Sequence, residues 1–225
     1  MTGRSTIRHA GGVVGALLFI LFFSGVCTAQ QAAAAATPAP VPSVRAVRAA
    51  GRITIDGHLD EADWQRADPA VNFVQRDPDE GRPATRPTEV RVLYDADAIY
   101  FGARMFDREP GKISRRLTRR DADSSGVADT IIIGLDPHHD HLTGALFAVT
   151  AAGSLRDGVL FNDSDEDDSW DGVWEAAVTI DDQGWTAEIR IPFSQLRFPA
   201  SDHQTWGFNL VRTITRTNEE DWWAL

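Results

Sequence analysis

Short runs in which apolar and polar residues alternate dominate the chain beyond its first forty residues, and the period is two rather than 3.6. Ser43 to Ala49 and Ile53 to Ile55 open the pattern, and Asp56-Gly57 turns the chain. Glu89 to Tyr94 and Ala98 to Phe106 flank the turn-forming triplet Asp95-Ala96-Asp97, which predicts a hairpin. Thr130 to Leu135 is a continuous apolar strand closed by Asp136-Pro137. Ala145 to Thr150 pairs with Ser154 to Leu160 across Ala151-Ala152-Gly153, and Trp174 to Ile180 pairs with Trp185 to Ile191 across Asp181-Asp182-Gln183-Gly184. Trp185, Ala187, Ile189 and Ile191 share one face, with Thr186, Glu188 and Arg190 on the other, the signature of a half-buried antiparallel sheet. Pro192 to Leu196 makes a helical turn, and Trp206 to Thr215 returns as a last long strand.

One short N-terminal helix interrupts the strands: Asp60 caps Glu61, Ala62, Trp64 and Ala67, with Trp64 inward and Pro69 as the stop. Nine or so strands without βαβ alternation predict an all-β fold, an antiparallel β-sandwich of jelly-roll type. The apolar face of the last long strand, Phe208, Leu210 and Ile214, is expected to continue to Trp222 and Trp223, which stand at the end without a polar tail and read as a chain that continues beyond Leu225.

The first residues break the pattern. Arg4, Arg8 and His9 precede the apolar run Val13 to Val26, and Cys27, Thr28 and Ala29 follow, so residues 1–29 read as a secretory signal peptide. Residues 30–43, largely Gln, Ala, Thr and Pro, read as a linker, and 44–225 as the folded domain. Export places the domain in the periplasm or at the outer membrane. The lone cysteine, Cys27, lies in the signal, so the mature chain has no disulfide and no thiol chemistry. The formal charge of −11 excludes a nucleic-acid partner, which needs a basic face.

The ordered set Ile55-Asp56-Gly57, Asp60-Glu61-Ala62-Asp63-Trp64, Val90 to Asp95 with Tyr100-Phe101, the Asp129 to Asp136 strand, and Gly184-Trp185 to Pro192-Phe193 resembles a family 9 carbohydrate-binding module. Pro78 to Gly81, Trp170-Asp171-Gly172-Val173-Trp174-Glu175 and Ser194 to Phe198 further resemble the N-terminal domain of large bacterial outer-membrane proteins, where such a module precedes a β-barrel region. The resemblance implies a β-sandwich that binds sugar, and an association with glycosidases and polysaccharide breakdown. It also marks a departure: where sugar-binding members carry an aromatic wall, this chain has Ser125, Gly126, Val127 and Ala128.

Candidate chemistry follows. Trp64, Trp185 and Trp206 sit on core phases, whereas Trp170 and Trp174 flank a polar loop and are expected to offer rings to a pyranose face. With Glu175 and Arg116 they form the expected ligand-binding set. Arg115, Arg116, Arg119 and Arg120 suit an anionic sugar or lipid head group, with Asp121 and Asp123 placed to neutralise them internally. Asp163, Asp165 and Asp167 are the expected calcium ligands, in a run that does not fit an EF-hand. His138, His139 and His141 lack the zinc-protease spacing. No nucleophile or phosphate-loop motif appears, and Glu175 and Glu188 lack the marks of a glycosidase pair, Glu188 being read as outward-facing. The expectation is a non-catalytic module, with a structural domain of a barrel protein as the alternative.

Overall fold

The computed structural model describes residues 41–162 and 165–225. The signal-peptide reading, most of the linker reading and Asp163 lie outside them. Among the described residues there are twelve strands: β1 Val47–Arg48, β2 Val74–Asp77, β3 Thr88–Tyr94, β4 Ala98–Phe106, β5 Thr130–Asp136, β6 Gly144–Thr150, β7 Leu155–Phe161, β8 Asp165–Asp167, β9 Glu175–Asp181, β10 Gly184–Pro192, β11 Gly207–Ile214 and β12 Glu219–Trp222. One sheet runs β1-β3-β4-β10-β9 and the other β2-β12-β11-β5-β6-β7-β8. Every pairing is antiparallel except β1 with β3.

The period-two pattern explains the layers. Val90, Val92, Phe101, Ala103, Met105, Trp185, Ala187, Ile189 and Ile191 of the first sheet meet Ile131, Ile133, Leu135, Phe147, Val149 and Leu210 of the second in one core. This is the expected β-sandwich.

A second, smaller core lies on the outer face of the first sheet. Ile53, Trp64, Ala67, Leu93, Ala98 and Tyr100 form it, with Val47, Ala49, Ile55 and Leu59 at its margin. The expected helix is a 3-10 turn at Trp64–Arg66, held by successive i to i−3 bonds rather than by an Asp60 cap. Asp63 does the anchoring: its carboxylate accepts the N–H groups of Ala50 and Gly51 at 3.0–3.1 Å, which hold it below the usual carboxylate range. Trp64 is buried as expected, but against this outer face. A Cβ on Gly102 would lie 2.8 Å from Leu59 Cδ2 and Trp64 Cζ3, so the indole lies on the strand only because that residue is glycine.

At the C-terminal end the strand read as continuing toward Trp222 and Trp223 instead reverses. Thr215–Thr217 forms a turn, Asn218 adopts φ 48°, and β12 pairs back between β11 and β2. Trp223 is buried against Phe208 at a 4.8 Å centroid distance, and Asn209 bonds both the carbonyl and the N–H of Ala224. Trp223 thus belongs to the core, and Trp222 is half-buried on β12.

Candidate functional site

Asp157 organises the most distinctive loop region. It lies on β7 opposite Phe147 and is fully buried on the core side. Its carboxylate accepts the Gly172 N–H at 2.5 Å, the Trp174 indole N–H at 3.0 Å, and the Arg120 guanidinium. Arg120 also donates to the Gly172 carbonyl at 2.9 Å, and its Nε stands 3.4 Å from Asp121 and 3.7 Å from Asp171. One buried anion therefore fastens the segment 170–174 and the segment 114–121 to a core strand.

This arrangement treats the two loop tryptophans differently. Trp174 is 5% exposed and meets Phe147 edge-on at 5.3 Å, so it is a core residue and not a ring offered to solvent. Its indole N–H is used by Asp157, as a buried indole requires. Trp170 is half-buried, edge-on to Phe147 at 5.9 Å and packed over Gly172, where a Cβ would fall 2.9 Å from its Cη2. Beside Trp170 stand the part-exposed Arg120 and the strongly exposed Asp171. A ring edged by a guanidinium and a carboxylate can contact the apolar face of a sugar and bond its hydroxyls.

The other expected site residues do not converge there. Glu175 occupies the opposite face of its strand from Trp174 and pairs with Arg190 at 3.1 Å across the β9–β10 register. Arg116 is exposed, four residues before Arg120 in the same segment. Of the expected calcium ligands, Asp163 is not described; Asp165 accepts from Asn162 at 3.2 Å and Asp167 from the Ser169 N–H at 2.9 Å. Glu166, on the opposite face of β8, pairs with Arg156. Among the described residues no group of three His, Cys, Asp or Glu side chains is placed to hold a metal, the histidine cluster included. Asp136 and Asp140 are occupied there with the N–H groups of their own turn.

Glu188 was misread as outward-facing. Its strand phase points away from the main core, but the N-terminal segment covers it, and it is fully buried. It accepts the N–H of Asp56 and of Gly57, each at 2.9 Å, and the Trp64 indole N–H at 3.1 Å. Burial pushes its carboxyl up to about 7, against the pull of the two backbone donors and with help from the Glu61 carboxylate. Sealed from solvent, it cannot touch a substrate. The sequence did carry one signal: Gly102, its cross-strand partner, leaves room on that outer face for a covering segment.

A second buried charge system closes one end of the sandwich. Arg212 is fully buried and donates to the carbonyls of Pro87 and Phe106 and to the Thr88 hydroxyl. Asp107 pairs with Arg216 at 2.7 Å, and Asp129 accepts the Thr215 N–H at 2.9 Å. Asp221, opposite Arg212 in register, is pushed up to about 7 by burial and by Glu219 beside it. An open cleft of about 430 Å³ lies elsewhere, on the outer face of the first sheet. Ion pairs such as Arg104–Asp181 line it, and it has no Trp, Tyr or Phe wall.

Comparison with known proteins agrees with this architecture. No curated protein matches the sequence. Among solved structures, a family 9 carbohydrate-binding module of Caldicellulosiruptor kristjanssonii in complex with cellotriose aligns with TM-score 0.54 and 14% identity, over 78% of this chain and 80% of that one. The glucose complex of a family 9 module from the same organism gives 0.52 and 15%, over 79% and 84%. A Bacteroides uniformis protein with a proposed carbohydrate-binding role gives 0.61 and 13%, over 81% and 90%. The model of the carbohydrate family 9 binding domain-like family, a group of non-catalytic modules, matches residues 55–221, and the chain belongs to that family.

Proposed function

We propose that this chain is an exported, non-catalytic module that binds a glycan at Trp170, with Arg120 and Asp171 as its polar edge. The carrying observation is the asymmetry of the segment 170–174: a buried carboxylate draws Trp174 into the core and leaves the Trp170 ring half-exposed beside two charged groups. Family membership and the solved complexes of similar modules with cellotriose and glucose support saccharide as the ligand class. With a single ring the affinity falls in the micromolar to millimolar range, on the order of −4 to −8 kcal/mol. Such a module serves polysaccharide breakdown by holding a linked or partner glycosidase on its substrate. The amino-terminal pattern supports secretion to the periplasm or outer membrane.

One observation favours a second reading, a structural domain beside an outer-membrane β-barrel with no sugar ligand. Ser125 to Ala128 contribute no ring, and Trp174 is unavailable, so a clamp of two aromatic walls is not assembled. Titration calorimetry with cellotriose separates the two. Heat that disappears in Trp170→Ala, in a domain that still unfolds cooperatively, supports the module. No heat with any of a panel of neutral and acidic oligosaccharides supports the structural domain.

A further inference from the structure

We infer that the glycan is an anionic one, its charged groups met by the arginine ridge Arg115, Arg116 and Arg119, in the segment that ends at Arg120 on the Trp170 loop. This rests on the glycan reading above and adds the ligand's charge to it. In a chain of net charge −11, four arginines fall within six residues, and the acids that follow them do not neutralise three of the four. Arg120 is committed to Asp157, Asp121 and Asp171. Asp121 accepts the Asp157 N–H, and Asp123 accepts the Ser125 N–H. Among the described residues, Arg115, Arg116 and Arg119 form no ion pair and no side-chain hydrogen bond, and all three are exposed, as is Leu117 between them.

The ridge is held in place by its backbone. Thr118 exchanges two hydrogen bonds with the Ser154 hydroxyl, at 3.0 and 3.1 Å, and the Asp121 N–H donates to the Leu155 carbonyl at 3.0 Å. Arg115 bridges to Ala128, and Ser114 donates to the Val127 carbonyl, so the segment starts against the loop 125–128. It ends at Arg120 on the Gly172 carbonyl, beside Trp170. A cation ridge therefore runs from one loop to the only half-open tryptophan of the segment 170–174. Guanidinium groups bind carboxylates and sulfates with two parallel bonds, whereas a neutral sugar gains little from uncommitted positive charge. In an otherwise acidic domain such a ridge is the face that admits a polyanion.

Calorimetry on the full exported chain with cellotriose, trigalacturonate and sulfated cellotriose at low salt tests this, the last two arms separating carboxylate from sulfate. Each exposed pair is worth a factor of about two to five, so at least one anionic trisaccharide is expected to bind roughly tenfold tighter than cellotriose. The preference is expected to vanish in Arg115→Gln/Arg116→Gln/Arg119→Gln, with its urea midpoint as the check on folding, and to erode as salt rises. Cellotriose binding without any charge preference overturns this inference alone. Absence of binding to all three overturns the glycan reading with it. Anionic binding that survives Trp170→Ala makes the ridge a separate site and overturns the assignment. So does binding to phosphatidylglycerol vesicles that excess trigalacturonate leaves undiminished.

Discussion

Asp157 and Glu188 are both fully buried, each accepts three hydrogen bonds, and each ties a loop to a central strand. They differ in the charge that faces them. Asp157 meets the Arg120 guanidinium, which reaches solvent and the site. Glu188 meets two backbone N–H groups and an indole, and its nearest charged neighbour is another carboxylate, Glu61. A buried anion with a cation partner fastens its loop through an ion pair, whereas a buried carboxyl with only neutral donors and a like-charged neighbour is pushed up. The site loop is thus held by a salt bridge, and the N-terminal cover by a carboxyl that responds to pH.

The largest effect expected from breaking this comparison is at Asp157. Asp157→Ala strands a buried indole N–H, a backbone N–H and a guanidinium, which costs about 3–5 kcal/mol by the usual price of halving a buried pair. Urea unfolding followed by tryptophan fluorescence measures it. Glu188→Gln keeps an acceptor oxygen for the same backbone donors, so its cost is expected to be about 1 kcal/mol or less at pH 5. Equal losses at the two positions would show that the cation makes no difference.

Next in size is Gly102→Val, which drives a side chain into Trp64 and Leu59 and costs roughly 1–3 kcal/mol by overpacking. Lifting the Trp64 turn also uncovers Glu188, so the variant is expected to lose its titration near pH 7 along with stability. A Gly102→Val protein that keeps that titration would show that the cover is not what buries the carboxyl.

These two regions were not equally legible in the sequence. The paired strands β3–β4 and β9–β10 could be read because alternation is a local property, set by two-residue periodicity on one strand. Burial of Glu188 was not legible, since its donors at Asp56 and Gly57 lie more than 130 residues away and the strand phase alone points it to solvent. Trp170 and Trp174 looked alike because the seven-residue segment 168–174 between the strands has no period. Asp157, seventeen residues before Trp174, decides between them. The Asn218 reversal was missed for another reason. The apolar phase of β11 was extrapolated past Thr215, although Thr215-Arg216-Thr217-Asn218 is a polar run with a residue type that tolerates positive φ.

The pH dependence sharpens the comparison further. Glu188 and Asp221 both have folded-state values raised to about 7, from 4.5 and 3.8. Between the unfolded and folded values the native state holds more protons, so ∂ΔG/∂pH is negative and stability falls as pH rises through 7. Asp63, held low, contributes in the opposite sense and loses its share only in strong acid. The thermal midpoint is therefore expected to be highest in mild acid and to drop by on the order of 10 °C between pH 5 and pH 8.5. Glu188→Gln is expected to flatten part of that slope and Asp221→Asn the rest. A midpoint that rises across this range contradicts both assignments.

Trp170→Ala carries the smaller stability effect of the two tryptophans, and it is the most informative about function. Trp174→Ala removes a ring that is 5% exposed and leaves Asp157 short of a donor, a loss of about 3–5 kcal/mol for a buried tryptophan. Trp170→Ala removes a ring that is only partly buried, touches Phe147 at its edge and donates no hydrogen bond to Asp157, so its cost is about 1–2 kcal/mol. Saccharide affinity is expected to follow the reverse order at equal folded fraction. It falls roughly tenfold or more in Trp170→Ala, because the stacking surface itself is gone. A Trp174→Phe variant, which keeps the apolar volume near Phe147 and gives up only the indole N–H, retains most of the affinity. Should Trp174→Phe instead abolish binding while Trp170→Ala leaves it intact, the ring that meets the sugar is the buried one, and the loop must open to admit its ligand.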